Sequence, residues 1–183
     1  MRTVLLTTVA VAMVLLTACD GEYPYSRRYP CNFYLKQQTH STSLAFAAIQ
    51  GVGTWVSIST SGDGLTSVRH VYVTGNEKNA VTEDIIIRND DENRRSFLLG
   101  RNNSVGLLVG GTNFNGPTAY DRSCPNCETL ETLQFTGNRQ QVSCSKCQRT
   151  YMLDTGGIIS GSKGETLLLY ACELRNGWLW LHN

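Results

Sequence analysis

The chain is poor in charged residues, and the charges that it has nearly balance. Lysine, arginine, aspartate and glutamate make up 17% of the 183 residues, and the formal net charge is +1. A nucleic-acid-binding surface needs clustered positive charge, so this balance argues against DNA or RNA as a partner. Proline is scarce (4 residues) and glycine is frequent (17 residues). With many threonine, valine, isoleucine and tyrosine residues, this composition favours a β-rich exported domain.

Sequence motifs of catalysis are also missing. The chain has no nucleophile elbow, phosphate-binding loop, dinucleotide fingerprint or pair of catalytic carboxylates. Histidine occurs only at His40, His70 and His182. We interpret His40, which lies in a polar stretch, as an exposed side chain. We therefore predict that the protein is not an enzyme, although a non-catalytic redox carrier is compatible with this composition.

Long apolar runs are confined to the first 18 residues. Three features are typical of a secretory signal: the basic Arg2, the apolar run that ends at Leu16, and the small residues before Cys19. The run is too short for a transmembrane helix. Residues 16–19, Leu-Thr-Ala-Cys, resemble the lipobox of bacterial lipoproteins. The resemblance implies cleavage before Cys19 and its acylation with chains such as palmitate, and several chains anchor a domain stably. The alternative is a plain signal peptide in which Cys19 has no special role.

These features divide the chain into a lipoprotein signal peptide (residues 1–18), a lipidated tether (residues 19–30) and one domain (residues 31–183). The domain is long enough to bury a core. Acidic residues at 20–22 resemble a surface-export signal of Bacteroidetes-like lineages, and an ordinary polar tether is the alternative. We expect a protein anchored in the cell envelope, at the outer membrane, on its periplasmic or surface face.

Short apolar or alternating segments, separated by glycine turns, predict a β domain. The expected strands are residues 32–35, 54–59, 68–73, 85–87, 105–109, 167–170 and 178–181. Residues 43–49 are rich in alanine and fit either a helix or a strand. Residues 89–95 predict a solvated polar loop, and residues 175–177, Arg-Asn-Gly, predict a hairpin turn.

Four cysteines form two Cys-x-x-Cys pairs with sixteen residues between them. This spacing is typical of four-cysteine metal sites. Each pair can place two thiolates on one side of a bound metal, and soft thiolates select zinc or iron over magnesium or calcium. We predict that Cys124, Cys127, Cys144 and Cys147 bind one metal centre.

The sequence around these pairs resembles the Rieske domain. Residues 119–125, Ala-Tyr-Asp-Arg-Ser-Cys-Pro, resemble the strand that leads into the first cluster loop of that family. Residues 142–147 resemble its second loop, and residues 151–161 resemble the aromatic residue and Thr-Gly-Gly turn that follow. The resemblance covers residues 105–183. It implies an all-β fold of antiparallel sheets or a sandwich, with the two cysteine pairs in metal-binding loops.

The ligand set departs from that family. A Rieske centre holds a 2Fe–2S cluster with two cysteines and two histidines. Here Cys127 stands near the position of the first histidine and Cys147 at that of the second, so a histidine-ligated cluster is not expected. Zinc is our first interpretation, because Cys-x-x-Cys pairs suit its closed tetrahedral site. Rubredoxin-like iron or a cysteine-ligated 2Fe–2S cluster comes second, and a pair of disulfides comes third.

The position after each pair bears on this choice. Most zinc and rubredoxin loops carry a glycine there, whereas this chain has Glu128 and Gln148. Three functional hypotheses follow: a zinc-stapled binding or structural module, an electron-transfer protein with iron, and a disulfide-stapled scaffold. The redox hypothesis requires exposed loop tips, with Pro125 and Lys146 near the surface, whereas a structural zinc can be covered.

Several other residues carry predictions of their own. Cys31 and Cys172 fit either a disulfide that closes a long loop, worth about 4–5 kcal/mol, or two buried thiols. Lys146, inside the second pair, is predicted to offset thiolate charge, and Asp121 to have a structural role before the first pair. Trp178 alternates with leucine up to residue 181, which places the two tryptophans of this segment on one face. Together with Trp55 they could form a carbohydrate platform, but we expect at least one tryptophan of this pair in the core.

Overall fold

The computed structural model describes residues 24–183. The predicted signal peptide and the predicted lipidation site, Cys19, lie outside the described residues. Within that range the chain forms thirteen strands and two short helices. The helices are α1 (Leu44–Gln50) and α2 (Asp90–Asn93). The strands are β1 (Cys31–Lys36), β2 (Trp55–Ser61), β3 (Arg69–Gly75), β4 (Thr82–Ile87), β5 (Phe97–Leu99), β6 (Leu107–Thr112), β7 (Gly116–Asp121), β8 (Gln134–Phe135), β9 (Gln141–Ser143), β10 (Thr150–Met152), β11 (Ile158–Ser160), β12 (Leu169–Arg175) and β13 (Trp178–His182).

The strands form two antiparallel sheets. The large sheet has the order β4-β3-β2-β6-β7-β12-β13-β1-β5, and the small sheet has the order β11-β10-β9-β8. Strands of the small sheet are only two or three residues long. The prediction of an all-β domain built from antiparallel sheets is confirmed at this level.

Strand β6 contributes to two cores because it is buried on both faces. Leu107 and Val109 pack into the larger core, which also takes side chains from β1 to β5 and from α1. Leu108, between them in sequence, packs into a second core with Trp55 and Tyr120. Successive side chains of a strand point to opposite faces, so this alternation separates the two cores. The second core joins the small sheet to the large one.

Residues 43–49, which fit either a helix or a strand, form helix α1. The side chain of Ser43 caps the helix by accepting a hydrogen bond from the Ala45 amide at 3.3 Å. The buried side chains are Ala45, Phe46, Ala48 and Ile49. Their spacing of three and four residues gives the helix one apolar face. Burial of this face explains why the segment forms a helix and not a strand.

The C-terminal hairpin forms at the predicted turn. Asn176 and Gly177 have φ angles of 52° and 77°, as the turns that best match strand twist require. Leu179 and Leu181 are fully buried. The alternation predicted for β13 is therefore confirmed.

The end of the predicted tether packs against the domain. The Ser26 amide donates to the Leu169 carbonyl at 2.7 Å, and the Pro30 carbonyl accepts from the Gly100 amide at 3.1 Å. Asn183 donates to the carbonyls of Ser26 and Tyr29, both at 2.7 Å. Residues 26–30 are thus bonded to the folded domain. Among the described residues, no helix has the length and apolar character needed to cross a membrane.

The prediction of a solvated loop at residues 89–95 is wrong for Glu92. This segment contains α2, and Glu92 is 1% exposed. Its carboxylate accepts a hydrogen bond from the Lys36 amide at 2.9 Å and lies 3.1 Å from Nε2 of His40. His40 is correspondingly half-buried, so its predicted exposure is also wrong. A buried carboxylate is stable here because both neighbours are hydrogen-bonding groups.

Candidate metal centre

The first cysteine loop (residues 124–127) follows directly from β7 and is positioned by Asp121. The Asp121 carboxylate is buried and accepts hydrogen bonds from the Ser123 amide at 2.8 Å, the Arg101 amide at 2.8 Å and the Tyr170 hydroxyl at 3.0 Å. The Cys124 amide donates to the Glu131 carbonyl at 2.8 Å. These bonds hold the start of the loop in place, as the predicted structural role of Asp121 requires.

The second cysteine loop (residues 144–147) connects β9 to β10. The Cys144 amide donates to the Arg149 carbonyl, and the Gln148 amide donates to the Cys144 carbonyl, both at 3.0 Å. Gln148 has a φ angle of 57°, in the left-handed region that favours glycine. The second loop therefore adopts the turn that glycine usually provides at this position, with glutamine in its place. Glu128, at the matching position of the first loop, does not have a positive φ.

The two loops bring their four thiols together. All four Sγ atoms lie within 4.8 Å of one another. The Sγ atoms of Cys124 and Cys147 are 3.6 Å apart, and those of Cys127 and Cys144 are 3.7 Å apart. A tetrahedral zinc site with bonds of about 2.3 Å has sulfur–sulfur edges of about 3.8 Å. The four predicted ligands can therefore hold one metal ion.

The thiols are free and largely covered by the second core. None of the four cysteines forms a disulfide, so the interpretation of this site as two disulfides is not what the structure shows. Cys124, Cys127 and Cys144 are buried, and Cys147 is partly exposed. Leu133, Val142 and other apolar side chains pack around the loops. The site joins the small sheet to β7.

The electrostatics differ among the thiols. Burial raises the pKa of Cys124 and that of Cys127. Burial also opposes ionisation of Cys147, but hydrogen bonds from the Arg149 side chain and amide, and from neighbouring thiols, lower the pKa of Cys147 to about 6. Cys147 therefore ionises before Cys124 and Cys127.

The cation that lowers the pKa of Cys147 is Arg149 and not Lys146, so the role predicted for Lys146 belongs to Arg149. The Lys146 ammonium group binds the Thr129 hydroxyl and lies 3.3 Å from the Glu131 carboxylate. That contact ties the second loop to the segment that follows the first loop. Arg149 also donates to the carbonyls of Ser162 and Lys163, at 3.0 and 3.2 Å. In the sequence, the role of Arg149 was indicated only by the presence of a basic residue two positions after the second Cys-x-x-Cys pair.

Comparison with protein-family models, with curated proteins and with solved structures finds no match to this chain. The chemistry of the site is therefore argued from its own geometry.

One hydroxyl group lies against the thiols. The Tyr151 hydroxyl is 3.5 Å from Cys124 Sγ and accepts a hydrogen bond from the Asn126 side chain at 2.9 Å. With its lone pair occupied by Asn126, the Tyr151 hydroxyl can donate its proton to the sulfur. A hydrogen bond of this kind stabilises thiolate charge.

Cys31 and Cys172 are two buried free thiols. Strand β13 lies between β1 and β12, and Cys172 is level with Leu181 and Phe33 rather than with Cys31. Two strand spacings amount to about 9.6 Å, whereas disulfides need Cα atoms about 4.4–6.8 Å apart. Of the two alternatives that the sequence left open, the structure has the buried thiols and not the disulfide.

None of the three histidines joins the cysteine cluster. Each faces a carboxylate instead: His40 faces Glu92, His70 lies 2.8 Å from Asp84, and His182 lies 3.5 Å from Glu173.

The two tryptophans of β13 lie on the outer face of the large sheet, and both are half-buried. Placing one of them in the core was wrong. Trp180 stacks on Tyr34 and on His182, with ring centroids 5.6 and 3.8 Å away. The Arg95 guanidinium lies 4.1 Å from the Trp178 ring centroid. Neighbouring side chains already occupy these ring faces, which argues against a carbohydrate platform.

Proposed function

We propose that this protein is an exported, lipid-anchored binding module in which four cysteines hold one structural zinc ion. The zinc joins the two cysteine loops and so fixes the small sheet on the large one. In this function the metal supplies a cross-link, and the protein acts through its surface. The single observation that carries the proposal is the set of four Sγ atoms within 4.8 Å of one another.

The sulfur geometry supports a single ion over a 2Fe–2S cluster. The two short sulfur–sulfur distances, 3.6 and 3.7 Å, both join one loop to the other. Two thiolates on the same metal ion have edges of this length in either kind of site. The deciding observation is that the longest separation among the four Sγ atoms is no more than 4.8 Å. A two-iron cluster has to separate two pairs of thiolates by its second iron, and the compact quartet leaves little room for that.

Burial of the first loop supports a structural role over electron transfer. A redox centre must lie close to its partner's cofactor, so both loop tips would be expected at the surface. Lys146 is exposed, but Pro125 is buried. Strands of two or three residues are too short to be stable without further support. A metal cross-link provides that support.

The second candidate is an electron-transfer protein with a single iron bound to the same thiolates. The observation that favours it is the partial exposure of Cys147, beside Arg149. One edge of the site therefore approaches solvent, where a partner could dock.

We also propose that the domain is Rieske-like with an all-thiolate site. Two observations support this relationship. Each of the two loops supplies two cysteines to the site, and the first loop follows the strand that ends at Asp121. Because its ligands differ from those of Rieske centres, the fold would not carry Rieske redox chemistry with it.

The lipid anchor rests on Cys19 and residues 16–18. Metabolic labelling with a palmitate analogue in a bacterial host tests it, with Cys19→Ser as the negative variant and Cys31→Ser as the matched control. Label on the wild type and on Cys31→Ser, but not on Cys19→Ser, supports the anchor. Equal labelling of all three, or of none, contradicts it.

The metal is tested by elemental analysis and a visible spectrum of a soluble form that starts after Cys19. The sample is purified from an exported location without added metal. One zinc per chain without visible absorbance supports the structural site. Iron with charge-transfer bands supports the second candidate, and the ratio of iron to sulfide separates one iron from a cluster. Absence of any metal contradicts both candidates.

A further inference from the structure

A groove of about 620 Å³ lies between the two sheets, away from the four cysteines. One wall comes from β2, the end of β3 and the turn at residues 76–80, and the other from β8 and the turn at residues 136–139. We call it the inter-sheet groove. Its volume is within the range of small-molecule binding sites, about 300–1,000 Å³.

The groove contains a half-buried guanidinium group without a counter-ion. Arg122 Nε donates to the Leu133 carbonyl at 3.2 Å, and Nη2 lies 3.5 Å from the Gln134 side-chain oxygen. Within residues 24–183, no carboxylate lies within salt-bridge distance of Arg122. Burial lowers the pKa of Arg122, and no nearby charge offsets this effect. Buried charges in proteins are normally paired.

Two of the three other charged residues along the groove are also cations. Lys78 and Arg139 line it together with Arg122, and Glu77 is its one carboxylate. Glu77 already pairs with Arg139 at 3.1 Å. Three cations therefore face one acid, in a protein whose whole net charge is only +1. A cleft that collects one sign of charge concentrates ligands of the opposite sign.

The remaining lining is polar and held in place. Ser57, Thr74, Phe135 and Thr136 also line it. The Thr74 hydroxyl is hydrogen-bonded to the Thr82 hydroxyl at 2.8 Å, and the Thr136 hydroxyl donates to the Asn138 carbonyl at 2.9 Å, which leaves the Thr136 oxygen able to accept. The Asn76 side chain donates to the Arg139 carbonyl at 2.7 Å. This bond ties one wall of the groove to the other. Hydroxyl and amide groups around a charged anchor suit a ligand that is itself rich in hydroxyl groups.

We propose that the inter-sheet groove binds a small polyhydroxylated anion whose carboxylate or phosphate group pairs with Arg122. A guanidinium group binds either anion through two parallel hydrogen bonds. Arg139 and Lys78 draw the anion into the groove, and the hydroxyl groups contact the body of the ligand. The proposal is independent of the metal, because none of the four cysteines lines the groove.

The test uses glucuronate, glucose 6-phosphate and glucose as probes with similar bodies and different charges. Binding to the metal-loaded domain is measured by calorimetry and by amide chemical shifts, with Gly75 and Gly137 as reporters inside the groove. We expect at least one charged probe to bind with a Kd of about 1 mM or tighter. Which one binds distinguishes a carboxylate ligand from a phosphate ligand. Glucose is expected not to bind.

Substitutions locate the site. Arg122→Gln should weaken binding of the charged probe at least about tenfold, the usual effect of losing a charge-assisted hydrogen bond. The double variant Lys78→Gln, Arg139→Gln, whose changes lie in turns, should weaken it several-fold and reduce its salt dependence. Arg175→Gln, on the outer face of the sheet, is the matched control and should bind like the wild type. Metal content is measured in every variant, because loss of metal from Arg122→Gln would reveal a folding defect. In that case the binding affinity of the double variant decides whether the groove is the binding site.

Three results would overturn the proposal. The first is that neither charged probe binds at about 10 mM, ten times the expected Kd. The second is that glucose binds as tightly as the charged probes. The third is that binding is unchanged in both Arg122→Gln and the double variant, or in the double variant alone where Arg122→Gln has lost its metal.

Discussion

The Sγ atoms of Cys124 and Cys147 lie 3.6 Å apart across 23 positions of sequence. The other short contact, between Cys127 and Cys144, also joins the two loops. Each loop alone therefore supplies only half of the site. Loss of one buried ligand should release the metal and the cross-link together.

We expect Cys144→Ala to abolish stoichiometric metal binding and to lower the free energy of unfolding by about 4 kcal/mol. That is the stabilisation given by a metal present at about a thousand times its Kd. Elemental analysis and urea unfolding measure the two effects. Cys172→Ala is the matched control, since Cys172 is a buried thiol outside the site. It should keep its metal and lose about 1 kcal/mol. Metal loss in both variants would mean that the effect is not specific to the quartet.

The sequence predicted correctly which four cysteines come together, because the Cys-x-x-Cys spacing is local within each pair. It could also predict β13, because alternation in a strand reports directly which face is buried. The roles of Arg149 and Lys146 could not be distinguished. Both are basic residues within two positions of Cys147, and only the path of the chain decides which one faces the thiols.

Burial of Glu92 was equally hidden in the sequence. Its partner atoms belong to Lys36 and His40, which lie 56 and 52 residues away. A run of polar residues predicts a solvated loop unless a distant donor compensates the buried charge. Contacts with residues distant in sequence also explain why the prediction of a core tryptophan was wrong. Trp178 and Trp180 are covered by side chains from other elements and do not lie in the core.

In metal-free protein, Cys147 should be the first of the four cysteines to be alkylated. It is the most exposed of them, and its pKa is lowered to about 6 with the help of Arg149, whereas the pKa values of Cys124 and Cys127 are raised. Because the thiolate is the nucleophile, its rate should fall as the pH drops through about 6. Timed iodoacetamide labelling with peptide mapping measures the order.

Arg149→Gln should slow this labelling at pH 7, because it removes the donor that stabilises the thiolate. Lys146→Gln is the control, since Lys146 binds Thr129 and Glu131 instead. Equal slowing by both substitutions would show that general surface charge, rather than the Arg149 contact, sets the reactivity of Cys147.

Gln148→Gly should stabilise the protein or leave it unchanged. The φ angle of Gln148 is 57°, and a left-handed conformation costs a residue with a side chain about 1–2 kcal/mol. Glycine avoids this cost, but it makes the unfolded chain more flexible, which lowers the free energy of unfolding by about 0.5–1 kcal/mol. Urea unfolding of the metal-loaded form measures the balance. Glu128→Gly is the matched control in the first loop. It has no strain to relieve and should be destabilised, and the opposite order of the two variants would contradict the backbone argument.

Glu92→Ala should destabilise the protein by about 1–3 kcal/mol, because it leaves the buried Lys36 amide and the His40 ring without their acceptor. Asp91→Ala, next to it in sequence, is the matched control. Asp91 is exposed and pairs with Lys36 at 3.5 Å and Arg95 at 3.8 Å, and surface pairs contribute less than about 1 kcal/mol. Urea unfolding distinguishes the two, and metal content should be full in both. A smaller loss for Glu92→Ala than for Asp91→Ala would mean that the carboxylate of Glu92 does not stabilise the junction between β1 and α2.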